Sequence, residues 1–303
     1  MAETRAPVES TLPGDPVVLL TGASTGIGLA LAHKLAAWPS GRIVLTARAA
    51  SLERLKQQGF SDTDRIWLRT LDVTDGAQRC RVVDEIRDQL GGVDILINNA
   101  GIVFRSVTEH MDEAETLTQL DTNFLSPMAL IRLVLPRMRE KGAGRIINIS
   151  SVSGMMAMPT MGSYSGSKFA LEGASESLWY EMKPWGIHVT LVQPGFIHSN
   201  SFHNVILSKH ARSAIEDAFD PYHVVYRSMA PFIERLMSLA RATPEDIAEQ
   251  VLATLHKKNP RLRVFATIDA RFFYILRRTL PRKVFHALLY RALPQIGKWG
   301  PGS

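Results

Sequence analysis

Residues 17–28 read VVLLTGASTGIG, an apolar run followed by a glycine-rich loop and the start of a helical pattern. In an α/β sheet this order places backbone N–H groups and a helix N-terminus at the end of a strand, where they can bind a pyrophosphate. The glycine spacing, G-x3-G-x-G, differs from that of the commonest dinucleotide-binding loop. A loop that needs glycine only for its turn is the alternative. The stretch predicts a nucleotide site formed by Gly22, Ser24, Thr25, Gly26, Ile27 and Gly28.

Short runs of β-branched and aliphatic residues alternate with longer helical patterns beyond this loop. The runs cover 17–21, 42–47, 64–70, 93–99, 144–150, 187–195 and 261–266, and the helical patterns cover 26–37, 51–58, 75–90, 112–139, 164–183 and 244–257. Strands that are apolar on both faces indicate a parallel sheet with helices on both sides. We therefore predict a doubly wound α/β domain at 15–267, after a flexible leader at 1–14 and before a C-terminal extension at 268–303.

The end of the second predicted strand bears on the choice of nucleotide. NAD sites usually present an acidic side chain about 20 residues after the glycines, whereas NADP sites present an arginine. This chain has Arg48 there and no acidic residue at 46–49. A guanidinium can bind a 2′-phosphate that a carboxylate would repel, so we expect NADP(H) rather than NAD(H). A solvated surface arginine is the alternative.

The end of the third strand offers a second nucleotide contact. Asp72, followed by Val73, is placed to reach an adenine edge, or alternatively to cap the helix that starts near Asp75.

Composition limits the setting of the protein. Of 303 residues, 46% are apolar and 21% charged, which is ordinary for a globular chain. The single cysteine, Cys80, cannot form an internal disulfide, and the N-terminus lacks a secretion signal, so a reducing, cytoplasmic location is expected. No stretch approaches the roughly 18 apolar residues of a membrane-spanning helix. The net charge of +6 is compatible with nucleic acid, an anionic membrane or a phosphate-rich ligand.

Residues with catalytic potential follow in the second half of the chain. Tyr164 and Lys168 are one helical turn apart among small residues. A lysine ammonium favours a nearby phenolate, so we expect the pKa of Tyr164 to lie below its usual value of about 10, which suits proton exchange with an alcohol or carbonyl oxygen. Asn123 interrupts an apolar helix, where a buried amide needs partners, and Ser151 begins the loop after the fifth main strand.

Taken together, these motifs resemble the short-chain dehydrogenase/reductase family. The motifs TGASTGIG, NNAG at 98–101, the four residues just described and QPG at 193–195 occur in the family's order over residues 16–266. The resemblance implies a Rossmann-type fold with Tyr164 as the general acid/base. It also implies that Ser151 orients the substrate oxygen, that Lys168 holds the nicotinamide ribose and that Asn123 supports a water relay for protons. The alternative role for Asn123 is simply to tie two strands together.

The resemblance also implies further contacts with the cofactor. Family members often have threonine where this chain has Ser199, and serine keeps the hydroxyl. The implied contacts are Asn99, Ala100, Gly101, Pro194, Gly195, Ile197 and Ser199, in addition to Tyr164 and Lys168.

Residues 198–240 are too long for a plain connection and are expected to form a substrate lid. With MMAMPTM at 155–161, their apolar side chains could cover a bulky hydrophobic alcohol, ketone or aldehyde, since methionines adapt to irregular ligands. Packing of the lid on its own domain is the alternative. The stretch 167–182 resembles the steroid- and retinol-metabolising branch of the family, which favours a steroid-, retinoid- or lipid-like substrate.

The tail at 271–295 has six Lys or Arg residues, no acidic residue, and many aromatic and aliphatic ones. We expect two short helices divided by Pro281. The tail could lie on an anionic membrane surface, or fold back onto the domain or a partner subunit. No recognition motif accompanies the charge, so no nucleic-acid partner is predicted, and no metal site is predicted either.

The predicted activity is that of an NADP(H)-dependent oxidoreductase. A silent NADP(H)-binding sensor or a membrane-associated scaffold is the alternative, against which the complete set of four catalytic candidates argues. The resemblance also suggests a homodimer or homotetramer formed through the helices at 112–139 and 164–183.

Overall fold

Seven parallel strands form the main sheet of the computed structural model, which describes residues 14–198 and 205–300. They are β1 (Val17–Leu20), β2 (Arg42–Ala47), β3 (Ile66–Thr70), β4 (Ile95–Asn98), β6 (Gly144–Ile149), β7 (Ile187–Gln193) and β9 (Arg263–Phe265). Two short strands, β5 (Phe104–Arg105) and β8 (Ile206–Leu207), pair with each other apart from this sheet. The sheet order is β3-β2-β1-β4-β6-β7-β9, so the predicted doubly wound parallel sheet is confirmed.

Helices cover both faces of the sheet because its strands are apolar on both faces. They include α1 (Gly26–Ala36), α2 (Ala49–Gln57), α3 (Gly76–Leu90), α4 (Glu113–Leu120), α5 (Ser126–Lys141), α6 (Gly162–Met182) and α9 (Pro244–Leu255). Leu35 of α1 and Val251 of α9 lie in the core on one face. Ile86 of α3, Leu130 of α5 and Leu178 of α6 lie in the core on the other.

The helix predicted at 112–139 is interrupted by a π-helical turn. The turn, Asp121–Leu125, lies between α4 and α5 and contains the buried Asn123. Such turns admit an extra residue into a helix and are frequent at functional sites. The π turn therefore makes position 123 a candidate for a functional role.

The segment predicted as a substrate lid and the C-terminal extension are helical in their described parts. The lid contains α7 (Lys209–Glu216) and α8 (His223–Ser238). The extension contains α10 (Ile268–Thr279) and α11 (Arg282–Arg291), which confirms the predicted division at Pro281. Within the described residues, no helix is both long and apolar enough to span a bilayer. The predicted leader lies, except for Gly14, outside the described residues.

The extension packs back onto the domain. Ala270 of α10 and Phe285 of α11 are buried against Val152 and Met155, which follow β6. Trp299 Nε1 donates a hydrogen bond to Ser228 Oγ of α8 at 3.3 Å. Among the placements predicted for the tail, contact with its own domain is therefore present.

Candidate active site

The carboxyl ends of β1 and β4 diverge at the switch point of the sheet, where doubly wound folds bind ligands. The loop after β1 is closely packed at two of its glycines. A Cβ on Gly28 would lie 2.0 Å from the Gly22 carbonyl oxygen, and a Cβ on Gly22 would lie 2.8 Å from Ala100 Cα. Both positions therefore require glycine for close backbone packing.

Gly26 differs from the other two glycines because it faces open space. Its φ is +55°, and a Cβ there would meet nothing within 4 Å. Thr25, the N-cap residue of α1, is exposed and makes no side-chain cap hydrogen bond. The first N–H groups of a helix have no partner within the helix, so this N-terminus presents donors and a positive dipole end to an anion. The loop thus fits the predicted pyrophosphate.

Asn99 and Thr21 fasten this loop to the end of β4. Asn99 Nδ2 donates to the carbonyl oxygens of Thr21 and Gly22, both at 3.0 Å. Thr21 Oγ1 accepts from the N–H groups of Asn99 at 3.0 Å and Ala100 at 3.1 Å. The NNAG motif therefore holds the loop after β1 through side-chain bonds to backbone.

The two predicted nucleotide contacts beyond β2 and β3 lie at the same edge of the sheet. Arg48 is exposed at the start of α2, and none of the described carboxylates pairs with it. Asp72 Oδ1 accepts from Thr74 N at 3.0 Å and Thr74 Oγ1 at 2.7 Å. Asp75 is the N-cap of α3, so the alternative that Asp72 caps this helix is wrong. Val73 is buried beside them.

Asn123 joins the loop after β4 to α6. Its Oδ1 accepts from Ile102 N at 2.9 Å, and its Nδ2 donates to Ile102 O at 2.9 Å and Ser167 Oγ at 3.1 Å. Ser167 Oγ in turn donates to Tyr164 O at 2.7 Å. A Cβ on Gly101 would lie 3.2 Å from Asn123 Oδ1. The side chain therefore bridges a loop and a helix, so the alternative that it ties two strands is wrong.

Ser151, Tyr164 and Lys168 meet at the end of β6. Lys168 is buried, and its Nζ donates to Ile149 O at 2.8 Å and lies 5.9 Å from the centroid of the Tyr164 ring. Ser151 Oγ accepts from Ser153 N at 3.1 Å and forms a hydrogen bond with the Tyr164 side chain. The three predicted catalytic side chains are thus brought together.

The prediction that the pKa of Tyr164 is lowered is wrong. Burial by the surrounding protein raises the pKa of Tyr164 above its usual value, and the hydrogen bond with Ser151 opposes this only in part. Burial also lowers the pKa of Lys168 to about 8, against the opposing charge of Glu172. The desolvation of the phenol outweighs the nearby ammonium, because this ammonium is itself desolvated and bonded to a backbone carbonyl.

Thr267, the last residue of the predicted domain, and Asp269 of the C-terminal extension hold the predicted nicotinamide turn after β7. Gly195 N donates to Thr267 Oγ1, and Phe196 N donates to Asp269 Oδ2, both at 2.8 Å. A Cβ on Gly195 would lie 1.9 Å from that carboxylate oxygen. Thr267 can be read from the sequence as the N-cap of α10, but its partner lies 72 residues earlier, so our sequence analysis missed both contacts.

The other residues predicted on this turn have different surroundings. Pro194 O accepts from Val152 N at 2.7 Å, which links the turn to the loop that contains Ser151. Ile197 is partly buried and packs against the core. Ser199 lies outside the described residues.

A buried ion-pair network supports the helix that carries Tyr164 and Lys168. Glu172 accepts from Gln193 Nε2 at 2.8 Å and from Arg263 Nε at 3.0 Å. Arg263 also bonds Glu176 at 2.6 Å. Sequence analysis missed Glu172, although a carboxylate four residues after Lys168 on one helical face was a readable signal.

Apolar side chains of the segment predicted as a lid pack together in the described structure. Val225, Met229 and Ile233 of α8 are buried together, with Met158 of the 155–161 loop packed against them. Met229 is fully buried, whereas Phe219 is 95% exposed. The alternative that lid residues pack on their own domain is therefore correct for this α8 cluster.

Comparisons with known proteins agree with this geometry. The sequence pattern of the short chain dehydrogenase family matches residues 16–209. Human 17-beta-hydroxysteroid dehydrogenase type 1 is 33% identical over 278 residues, which cover 87% of this chain and 80% of that protein. A 3-ketodihydrosphingosine reductase from Bacteroides thetaiotaomicron is 39% identical over 180 residues, covering 59% of this chain and 63% of the reductase.

Solved structures share the fold over most of the chain. A short-chain dehydrogenase from Streptomyces avermitilis superposes with a TM-score of 0.75 at 29% identity, covering 91% of this chain and 96% of that one. A metagenomic short-chain oxidoreductase in complex with NADP has a TM-score of 0.63 at 25% identity, with 84% and 96% coverage. A Burkholderia phymatum enzyme in complex with NAD has the same fold, with a TM-score of 0.71 at 21% identity and 92% and 96% coverage.

Proposed function

The chain belongs to the short-chain dehydrogenase/reductase family, and from that premise we propose that it is an NADP(H)-dependent oxidoreductase. Its substrate is a hydrophobic alcohol and the matching ketone or aldehyde. The observation that carries the proposal is the meeting of Ser151, Tyr164 and Lys168 at the end of β6, beside a loop that fits a dinucleotide.

The protonation of Tyr164 suits the role of proton donor. Burial raises its pKa, so Tyr164 is protonated at neutral pH. Ser151 would orient the substrate oxygen, and Tyr164 would give its proton to that oxygen as the carbonyl becomes an alcohol. Lys168 would stabilise the phenolate that remains.

The cofactor's chemistry is hydride transfer, which the nicotinamide supplies when bound. The N-terminus of α1, with Ser24, Thr25 and Ile27, would bind the pyrophosphate, and Asp72 and Val73 would border the adenine. The nicotinamide and its ribose would be bordered by Asn99 to Gly101 and by Lys168. The turn after β7 would complete this end of the site with Pro194, Gly195, Ile197 and Ser199. Asn123 would support a water relay from Lys168.

Arg48 supports NADP(H) over NAD(H). Its guanidinium is exposed, and no carboxylate within the described part of the chain neutralises it. The positions 46–49 contain no acidic residue that would repel a 2′-phosphate. An arginine with these surroundings can bind that phosphate in a bidentate way.

The relatives support a hydrophobic substrate. One is named for a 17-beta-hydroxysteroid and the other for 3-ketodihydrosphingosine. We therefore propose a steroid-, retinoid- or lipid-like molecule.

A homodimer or homotetramer is part of the same proposal. Leu117 and Leu125, before and within the π turn, are 54% and 50% exposed, and Phe169 and Tyr180 on α6 are 39% and 62% exposed. Apolar side chains exposed on neighbouring helices support an interface between copies.

The test is a substrate panel. Purified protein is mixed with NADPH or NADH and with a steroid ketone, a retinal, a long-chain ketone or a small aromatic aldehyde, and the loss of nicotinamide absorbance is followed. We expect faster turnover with NADPH and with the large apolar carbonyls. Preference for the small aldehyde would contradict the substrate class, and preference for NADH would contradict the cofactor. Tight NADPH binding without turnover of any member would favour the sensor.

A further inference from the structure

The net positive charge of this protein comes from its C-terminal extension. Residues 271–300 contain seven of the 35 Lys and Arg residues and no acidic residue. The rest of the chain holds 28 basic against 29 acidic residues, so its formal charge is close to zero. A charge asymmetry of this kind indicates a partner that carries negative charge and meets one end of the chain.

The same extension exposes a row of large apolar side chains. Ile268, Phe272 and Ile275 follow one another along one face of α10 and are 87%, 57% and 48% exposed. Arg271 and Arg278 are also exposed, and helical spacing places them beside this row. An exposed apolar row on an otherwise anchored helix indicates an interaction surface.

The second helix repeats this arrangement. Val284 and Leu288 on α11 are 44% and 48% exposed, and Arg291 falls on the same side of the helix. Phe285 faces the other way and is buried in the domain. We define the outward residues of α10 and α11 as the basic apolar face: Ile268, Arg271, Phe272, Ile275, Arg278, Val284, Leu288 and Arg291.

We infer that the basic apolar face binds the surface of an anionic lipid bilayer. Apolar side chains of an amphipathic helix enter the boundary between headgroups and acyl chains, while Lys and Arg contact anionic headgroups. Both halves of this requirement are met, by the exposed apolar row and by the absence of acidic residues among residues 271–300. A nucleic acid would use the charge but would leave Ile268 and Phe272 without a role.

The face is anchored beside the active site. Asp269, whose Oδ2 accepts from Phe196 N, lies one helical turn before Phe272 on α10. Ala270 and Phe285 fix both helices to the loop that follows Ser151. The binding surface is therefore a rigid part of the domain and does not depend on which substrate the enzyme reduces.

Co-sedimentation with vesicles tests the inference. Full-length protein is mixed with vesicles of phosphatidylcholine alone or of phosphatidylcholine with phosphatidylglycerol. We expect binding to the anionic vesicles only, weakened when salt is raised from about 0.1 M to about 1 M, because the Debye length then falls from about 10 Å to about 3 Å. Binding that is equal for both vesicles, or unaffected by salt, would overturn the electrostatic part of the inference.

Paired variants separate the two halves of the face. Phe272→Ser with Ile275→Ser, and Arg271→Gln with Arg278→Gln, should each weaken vesicle binding by about tenfold or more. The matched controls are Trp185→Ser, and Arg81→Gln with Arg132→Gln, which are exposed outside both the extension and the lid and should bind as the wild type does. Unchanged thermal midpoints and unchanged NADPH consumption in vesicle-free buffer would show that the variants are folded.

Three results would overturn the inference. The first is that both double variants bind vesicles as strongly as the wild type does. The second is an absence of vesicle binding together with salt-sensitive binding of a labelled oligonucleotide, which would assign the charge to nucleic acid. The third is an absence of vesicle binding together with a loss of oligomers in Phe272→Ser with Ile275→Ser, which would assign the face to a second copy of the chain.

Discussion

The two turns that border the proposed cofactor cleft are held in different ways. The turn after β1 is fixed from within the sheet, by Asn99 and Thr21 at the ends of neighbouring strands. The turn after β7 is fixed from outside it, by Thr267 at the end of the domain and by Asp269 of the C-terminal extension. The phosphate end of the cleft therefore belongs to the central sheet, whereas the nicotinamide end depends on a segment near the end of the chain.

This difference predicts that the two ends can be damaged separately. The largest effect should come from Gly28→Ala, because its Cβ would lie 2.0 Å from a backbone oxygen that cannot rotate away. We expect a loss of at least about 3 kcal/mol in the free energy of unfolding, measured by urea titration.

Gly26→Ala and Gly173→Ala are the matched controls for that loss. At Gly26 an added Cβ would meet no atom within 4 Å. Gly26→Ala should therefore lower the free energy of unfolding by only about 1–2 kcal/mol, the cost of a left-handed backbone. Gly173→Ala, in open space within α6, should be neutral or stabilising. Equal losses at positions 26 and 28 would show that the close packing at Gly28 is not what matters.

The second turn can be tested by the pair Gly195 and Asp269. Gly195→Ala should cost about 1–3 kcal/mol, since its Cβ would collide with the Asp269 carboxylate. In an Asp269→Ala background the same substitution should cost at least about 1 kcal/mol less, because the colliding group is gone. Additive losses in urea titrations of the four proteins would contradict direct contact between the extension and the turn.

The two ends can also be distinguished by ligand. Arg48→Ala should weaken both NADPH and 2′,5′-ADP, which lacks the nicotinamide, by about 10-fold to 100-fold, as expected for loss of a charged hydrogen bond. Asp269→Ala should weaken NADPH and leave 2′,5′-ADP unchanged. Fluorescence and calorimetric titrations measure these affinities, with NADH as the control ligand that Arg48→Ala should not affect. An equal loss of affinity for NADH would show that Arg48 does not bind the 2′-phosphate.

The smallest effect concerns pH. Lys168 is charged below its pKa of about 8 and neutral above it, so NADPH-dependent reduction should fall several-fold as pH rises from about 7 to about 9. Lys168→Arg keeps its charge throughout this range, so its residual rate should not show that fall. The same decline in both proteins would assign it to another group.

The sheet and the glycine loop could be predicted from the sequence, because strands buried on both faces and glycines at fixed spacing leave local signals. The π turn around Asn123 could not, since apolar periodicity does not report one extra residue in a helix. The contacts of Thr267 and Asp269 join positions 72 and 73 residues apart, which no local pattern shows.

The prediction of a lowered pKa for Tyr164 failed for a related physical reason. The spacing of Tyr164 and Lys168 identifies them as neighbours, but burial decides the direction of the pKa shift, and burial depends on the whole domain. Sequence therefore identified the groups of the site more reliably than their protonation.

Deuteride transfer tests the central claim most directly. NADPH with deuterium at both C4 positions of the nicotinamide is incubated with the best carbonyl of the panel, and the deuterium content of the product alcohol is measured by mass spectrometry. We expect one deuterium on the product carbon with the wild type and with Tyr180→Phe, an exposed control. Product formation by Tyr164→Phe should be lower by about 10²–10⁴-fold at unchanged NADPH affinity. Product without deuterium, or equal rates in Tyr164→Phe and the wild type, would contradict the proposed mechanism.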